Sequence, residues 1–196
     1  MDSVPSQSAH RPLVGAAYAF AADAHREQRR KDGQAFIGHP VRVARLLAAR
    51  GYGDEVIAAA LLHDVVEDTP ITLAQLRERF GDAVAALVDW VTEDVRLPVP
   101  ERRRAYRERV RRGPRAARDI CAADKLCNAA DLHQAAEEDD RRTLARFFDG
   151  LAGQVGRLQD DLAMLDEAGA DPALRDAIRD EIAGLQRVLS AGAQRR

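Results

Sequence analysis

Four ionisable side chains follow an apolar segment of the sequence: His63, Asp64, Glu67 and Asp68. On a helix, residues four apart share a face, so His63 would lie beside Glu67 and Asp64 beside Asp68. Burying an unpaired carboxylate is costly, and neighbouring carboxylates repel each other. The group therefore either projects into solvent or holds a cation. Because three acids near a helix C-terminus oppose the helix dipole, we favour a divalent metal over a plain charged helix end.

His39 and Asp124 are more distant candidates for the same site. Taken alone, a histidine before a proline more often caps or packs, and an aspartate in a helix is more often solvated. Combined with His63 and Asp64, they form a set of two imidazoles and two carboxylates. Such a mixed set suits manganese, iron or zinc, and it is too rich in nitrogen for magnesium or calcium.

The order of these residues resembles the HD superfamily of phosphohydrolases, in which a His, a His-Asp doublet and a distant Asp bind the metal. Three stretches are similar to the hydrolase domain of the RelA/SpoT family, especially its small stand-alone Mesh-type alarmone hydrolases: HREQRRKDGQAFIGHPVRVARLL, IAAALLHDVVEDTPITLAQLRERFG and ADKLCNAADL. The resemblance covers about residues 13–150. It is specific because several motifs share both order and separation with the family.

The resemblance implies manganese-dependent hydrolysis of the 3′-pyrophosphate of (p)ppGpp to GDP or GTP and pyrophosphate, which ends alarmone signalling. It implies one manganese ion bound by four residues: His39, His63, Asp64 and Asp124. Glu67 and Asp68 match the family's acidic pair, and they would orient the nucleophilic water and manage its protons. No organic cofactor is expected.

The resemblance also implies substrate contacts. Arg26 matches an element beside the nucleobase, where a guanidinium can stack on a purine. Lys31 and the adjacent Arg30 would contact phosphates, although such a basic run is as often a solvated turn. Asn128, one turn after the last metal ligand, would hydrogen-bond the ribose or a phosphate.

Arg142 matches a phosphate-binding arginine of the following helix, unless the register differs by one and Arg141 or Thr143 takes its place. Two departures from the family pattern bear on substrate preference rather than on hydrolysis. Cys127 stands where relatives usually carry an aromatic residue or His, and Phe36 stands where they usually have Tyr.

Composition and periodicity predict an all-α fold. The chain has 196 residues, only 5% aromatic residues and 32% charged residues, and no alternating strand pattern. We expect a disordered polar N-terminus over residues 1–11 and, over residues 12–196, a single-domain HD-fold helical bundle of about eight helices. The apolar run 56–62 is predicted to lie at its centre.

Local signals give several helix ends. Thr72 and Gln75 predict a capping box, and Gly81 predicts the end of that helix. The last two helices are predicted over about 141–167 and 172–189. Their leucines (Leu158, Leu162, Leu165 and Leu174) suit either packing or self-association into a homo-oligomer.

Charge and cysteine content restrict location and partners. The net charge of −2 favours neither nucleic acid nor an anionic membrane. Cys121 and Cys127 lie too far apart on one helix for a disulfide, so we expect reduced thiols in a cytoplasmic protein. No run is long and apolar enough for a membrane span. The expected partner is therefore a small nucleotide. His25 is expected to support the fold, and His133 and His10 to lie at the surface.

Three alternatives remain open. The same site could act on NADPH or another phosphorylated nucleotide. The chain could instead be a non-catalytic HD module that only binds nucleotide, although an intact ligand set and acidic pair argue against this. Finally, residues 101–118 carry nine arginines and two acids. They could form an anion-attracting rim, a weakly supported RNA-facing patch or, more commonly, a solvated helix face.

Overall fold

The computed structural model of the protein describes residues 11–30, 33–138 and 150–194. Within these ranges the chain forms eight helices of nine residues or more and one four-residue helix. The same ranges contain no strand, only an isolated bridge between Arg29 and Ala35. The all-α prediction is therefore confirmed. Residues 1–10, Lys31, and the segment 139–149 with Arg142 lie outside the described residues.

The helices, in chain order, are α1 (Pro12–Ala24), α2 (Gly38–Ala48), α3 (Asp54–Leu62), α4 (Val65–Asp68), α5 (Leu73–Val91), α6 (Val99–Arg112), α7 (Arg115–Glu137), α8 (Gly150–Ala168) and α9 (Pro172–Gln194).

Helix α3 lies at the centre of the N-terminal half. It packs against α1, α2 and α5, and it also contacts α7. Every residue from Ile57 to Leu62 is buried, as the continuous apolar run predicted. A helix with no polar face must be surrounded by protein on all sides. The chemical groups that follow Leu62 are consequently delivered to the interior.

Helix α5 begins at the predicted capping box. The Thr72 hydroxyl accepts from the Gln75 N–H at 3.3 Å, and the Gln75 side chain accepts from the Thr72 N–H at 2.9 Å. Gly81 bends this helix sharply, with φ 85°. That left-handed conformation favours glycine, which explains why the break falls at the predicted position.

Helices α8 and α9 pack onto the rest of the chain. Helix α9 lies along α7 and α8, and α8 also contacts α6 and α7. Their heptad-like leucines are all buried inside the chain: Leu158, Leu162, Leu165 and Leu174. These leucines therefore serve intramolecular packing, and a homo-oligomer stays a prediction.

Asp119 on α7 ties these C-terminal helices to the N-terminal half. Its fully buried carboxylate accepts from the Tyr52 hydroxyl, from the Asp171 N–H at 2.6 Å and from Arg115 at 3.3 Å. Tyr52 follows α2 and Asp171 precedes α9. One carboxylate thus connects three parts of the fold.

Two of the smaller predictions have clear outcomes. Cys121 and Cys127 are free and buried, and burial raises the pKa of each thiol to about 12. His133, expected at the surface, is instead half-buried on α7, where it bonds Glu181 at 2.6 Å and packs on Gly184. Among the described residues we find no helix with the length and apolar character of a membrane span.

Candidate metal centre and active site

Three segments that are far apart in sequence deliver the candidate metal ligands. His39 lies in the first turn of α2. His63 and Asp64 form the turn between α3 and α4, so the buried α3 carries them inward. Asp124 lies in the middle of α7, which packs against both α2 and α3. The four side chains meet where these helices converge.

The distances bring the donor groups of His39, His63 and Asp124 together and place the Asp64 carboxylate next to both imidazoles. His39 Nε2 lies 2.9 Å from Asp124 Oδ1 and 3.8 Å from Asp64 Oδ2. His63 Nε2 lies 3.1 Å from Asp64 Oδ1 and 3.8 Å from Asp124 Oδ1. Ligand atoms of His39, His63 and Asp124 all lie within 4.8 Å of one another. All three of these residues are buried, whereas the Asp64 side chain is 22% exposed.

The hydrogen bonds of His63 show that this arrangement suits a cation. Its Nδ1 lies 2.8 Å from the carbonyl oxygen of Ala60. Because a carbonyl only accepts, Nδ1 carries a proton, and it is Nε2 that faces the two carboxylates of Asp64 and Asp124. Nε2 is buried and has no hydrogen-bond partner among the described residues. A positive charge is required between Nε2 and the carboxylates, and either a second proton on the ring or a metal ion supplies it, so the residues fit a divalent metal.

The electrostatics of the ligands agree with this reading. Burial alone would lower the pKa of His63, but the carboxylates of Asp64 and Asp124 outweigh it and raise that pKa to about 9. Burial likewise opposes ionisation of Asp124, yet the Lys125 ammonium and the two imidazoles hold its pKa well below the ordinary value. The carboxylates of Asp64 and Asp124 thus favour a positive charge between the ligands.

Two side chains on α7 hold Asp124 in place. Lys125 Nζ donates to Asp124 Oδ2 at 2.9 Å, while the Asn128 amide donates to Oδ1 at 2.6 Å. Lys125 also lies over the ring of Tyr106, with Nζ 5.3 Å from its centroid. Such outer contacts fix the orientation of a ligating carboxylate.

Glu67 and Asp68 lie on α4, immediately beside the ligands. Glu67 Oε2 accepts the backbone N–H of Glu93 at 3.0 Å. Burial, with the nearby Glu93 and Asp64 carboxylates, raises the pKa of Glu67 to about 7 despite that hydrogen bond. Burial and the Asp64 carboxylate raise the pKa of Asp68 to about 6. Both carboxyl groups therefore titrate close to neutral pH, where a group can both take and return a proton.

All these side chains line one cavity of about 990 Å³. On one wall, Arg30 donates to Asn128 at 3.1 Å and to Asp131 at 2.7 Å. Arg42 donates two hydrogen bonds of 2.5 Å to the same Asp131 carboxylate. This network joins Arg30 in the segment after α1 to the helices α2 and α7 at the wall of the cavity.

A profile described as the HD domain matches residues 17–156, a range that contains every proposed metal ligand. The chain belongs to the HD-domain family. It is an enzyme of the metal-dependent phosphohydrolase type that this family comprises. The predicted resemblance is confirmed.

Individual relatives agree with this assignment. The human protein named guanosine-3′,5′-bis(diphosphate) 3′-pyrophosphohydrolase MESH1 is 42% identical over an alignment of 154 residues, and the match covers 76% of this chain and 86% of that protein. The solved structure of a metazoan ortholog of SpoT that hydrolyzes ppGpp superposes with a TM-score of 0.75 at 27% identity, covering 95% of this chain and 98% of that one. A structure from Listeria monocytogenes superposes with a TM-score of 0.66 at 34% identity, covering 74% of this chain and 96% of that one.

The predicted substrate residues of this HD domain differ in their placement. Asn128 lines the cavity, as does Arg30. Arg26 does not: its side chain is 68% exposed and bonds Asp23 at 3.3 Å, outside the cavity lining. The structure therefore leaves its predicted stacking on the nucleobase without support. Lys31 and Arg142 lie outside the described residues and stay predictions.

Two aromatic positions discussed from the sequence support the first ligand of the HD domain. The rings of His25 and Phe36 stack with centroids 4.5 Å apart, and Phe36 meets His39 edge-on at 6.3 Å. His25 also bonds Gln28 at 2.7 Å, and Gln28 in turn donates to the Asp68 carbonyl at 2.6 Å. His25 thus supports the fold, as predicted.

Sequence reasoning gave no role to three residues that shape the HD-domain site: Lys125, Arg42 and Asp131. For two of them, the distance in sequence from a metal ligand indicates a position on the same helix face. Asp131 follows Asp124 by seven residues, two turns along the same helix face, and Arg42 follows His39 by three. Lys125 carried no such signal, because an adjacent residue on a helix ordinarily points elsewhere.

Proposed function

We propose that this chain removes the 3′-pyrophosphate of (p)ppGpp, with manganese as its metal. One observation carries the proposal: two imidazoles and two carboxylates meet in a cavity beside Glu67 and Asp68. The chain in which they meet is 42% identical to a human enzyme of that name. The mixed donor set favours manganese, iron or zinc over magnesium.

The ligands and the acidic pair have separate tasks in this reaction. A divalent metal held by His39, His63, Asp64 and Asp124 would supply Lewis-acid stabilisation of charge at the attacked phosphate. Glu67, held by the Glu93 N–H, accepts a proton from the water that attacks phosphorus. Asp68 lines the same cavity and helps to orient that water.

The chemical balance is that of an ester hydrolysis. The water oxygen bonds to the phosphorus attached to the ribose 3′ oxygen, and the bond between that phosphorus and the 3′ oxygen breaks. The ribose oxygen leaves with a proton, which the carboxyl group protonated in the first step can return. GDP or GTP and pyrophosphate are released, and no electron is transferred.

The decisive experiment incubates the manganese-loaded protein with ppGpp and measures GDP and pyrophosphate in equal amounts. Asp64→Asn is expected to abolish turnover. Asp82→Asn is the matched control, because Asp82 lies on α5 with its side chain 89% exposed. Absence of turnover in wild-type protein with bound manganese would refute the proposal.

The same assay separates the alternatives. Release of inorganic phosphate from NADPH without action on ppGpp would assign the site to the other nucleotide, and binding of ppGpp without turnover would indicate a non-catalytic module. We also propose a cytoplasmic location, because both cysteines are free and buried, as suits a reducing compartment.

A further inference from the structure

The two oxygens of the Asp124 carboxylate have different surroundings. Oδ1 faces the imidazole ligands, 2.9 Å from His39 Nε2 and 3.8 Å from His63 Nε2. Oδ2 points to the other side, where it accepts a hydrogen bond of 2.9 Å from the Lys125 ammonium. A carboxylate can bind a cation through one oxygen or through both. Lys125 therefore occupies the oxygen that Asp124 would need in order to bind a metal through both.

Lys125 is held at this oxygen by its surroundings on α6 and α7. Its side chain is only 18% exposed, and its Nζ lies 5.3 Å from the centroid of the Tyr106 ring, a favourable contact for an ammonium group. Among the described residues, Asp124 is its one hydrogen-bond acceptor. An ammonium is a compact point charge that can bind a single carboxylate oxygen, whereas a guanidinium commonly pairs with both. Lys125 thus leaves Oδ1 available to a metal.

A second carboxylate near Lys125, that of Asp161 on α8, has partners of its own. Burial alone would lower the pKa of Lys125, but the Asp124 carboxylate and, more weakly, that of Asp161 raise it well above the ordinary value. Asp161 pairs with Arg107 at 3.4 Å, and Arg107 also pairs with Asp160 at 3.5 Å. The direct partner of the Lys125 charge is therefore the metal ligand Asp124.

A fixed positive charge beside a metal ligand has two opposite effects on metal binding. It holds the ligand in place, which favours binding, and it repels the cation, which opposes binding. The orientation of Asp124 has a second support, because the Asn128 amide donates to Oδ1 at 2.6 Å. The repulsion has no such substitute: at a few Å, one unit charge changes the affinity for a divalent ion by about tenfold or more even at the dielectric constant of water. Repulsion is therefore the larger effect of Lys125.

We propose that Lys125 is a positioning residue that keeps Asp124 bound to the metal through Oδ1 alone, and that it thereby weakens metal binding and preserves a position for the substrate. The inference rests on the metal centre of the proposed function. Catalytic metal sites keep a position that the protein does not fill. If both oxygens of Asp124 bound the metal, the protein would fill one position more. Lys125 prevents this by holding Oδ2.

Calorimetric titration of the metal-free protein with manganese tests the sign of the effect. Lys125→Met keeps a side chain of similar length without its charge, and its Kd for manganese is expected to fall about tenfold or more. Lys125→Gln offers a neutral amide donor instead, and it should also bind manganese more tightly than wild type. This second variant decides the question if Lys125→Met does not fold. Unchanged or weaker binding in a folded variant would overturn the proposal.

Asn128→Ala is the matched control, because it removes the other hydrogen bond to the same carboxylate and leaves the charge unchanged. Its Kd for manganese is expected to rise roughly 10- to 100-fold, as for the loss of other groups that orient a metal ligand. If Lys125 had a merely structural role, its variants would change the Kd in the same direction as this control. Tighter binding by all three variants would likewise overturn the proposal, since the loss of any contact would then suffice.

Turnover of ppGpp gives a second readout. At saturating manganese, kcat of Lys125→Met is expected to fall about tenfold or more although its metal is bound more tightly; an unchanged kcat would refute the role of Lys125 in keeping a position open. The titration needs no substrate. If wild-type protein does not hydrolyse ppGpp, the proposed function fails and the titration still decides the effect of Lys125 on the metal. If ppGpp is hydrolysed but Lys125→Met binds manganese no more tightly, this inference alone is refuted.

Discussion

Gly184 on α9 lies directly against the imidazole ring of His133 on α7, and an alanine at this position would collide with it. A Cβ atom on Gly184 would stand 2.1 Å from His133 Cε1 and 2.4 Å from Nε2, far inside van der Waals contact. The ring cannot simply move away, because its Nδ1 is bonded to Glu181 at 2.6 Å. Either that bond breaks or α9 shifts from α7.

The magnitude follows from these two responses. Overpacking of this kind costs about 1–3 kcal/mol, and losing a hydrogen bond to a charged group costs about 1.5–3 kcal/mol. The better helix propensity of alanine returns about 1 kcal/mol. Because the structure takes the cheaper response, Gly184→Ala should lower the free energy of unfolding by up to about 2 kcal/mol once the gain in helix propensity is subtracted. The melting temperature should fall by up to roughly 8 °C.

Urea and thermal unfolding, followed by circular dichroism, measure this effect. Gly156→Ala is the matched control, since Gly156 lies inside α8 and its added Cβ would meet no atom within 4 Å. That control should gain about 0.5–1 kcal/mol. If Gly184→Ala were as stable as the control, the close contact between Gly184 and the His133 ring would be refuted. In a His133→Ala background the penalty should disappear, because the colliding ring is gone.

Three further predictions concern the site and its support. Asp119→Ala should destabilise the fold by about 1–3 kcal/mol in urea unfolding, because the Asp171 N–H and the Tyr52 hydroxyl lose their acceptor; an unchanged midpoint would contradict this. Glu67→Gln should keep bound manganese, measured by elemental analysis, while kcat falls about 100-fold or more; loss of the metal would instead make Glu67 a ligand. Chelation should lower the melting temperature of wild-type protein but not of His63→Ala, since a metal stabilises only a chain that binds it.

Local sequence signals predicted those parts of the fold that depend on neighbouring residues. The run Ile57–Leu62 has no polar face, so its burial follows from composition alone. Thr72 and Gln75 are three residues apart, and their reciprocal bonds need no distant partner. The metal ligands were predicted through family resemblance instead, because no local rule brings α7 to the end of α3.

Features that depend on tertiary partners could not be predicted in this way. Arg26 and Arg103 illustrate the difficulty. Both are arginines in basic stretches, yet one bonds Asp23 in solvent and the other lines the cavity. Their roles depend on which carboxylates the folded chain brings near each of them, and that pairing joins helices that are distant in sequence. His133 was misjudged for the same reason, since its partner Gly184 lies on another helix.

Alanine-rich helices connect the composition of the chain to the geometry of its metal centre. Ala58, Ala59 and Ala60 on α3, and Ala122 and Ala123 on α7, are completely buried. The distance between packed helices depends on the side chains at their contact, and small side chains such as alanine permit a close approach. A short approach is what the ligands require, because His63 and Asp124 have short side chains whose donor atoms must share one ion. The small side chains on α3 and α7 therefore suit the short distance over which His63 and Asp124 must share one ion.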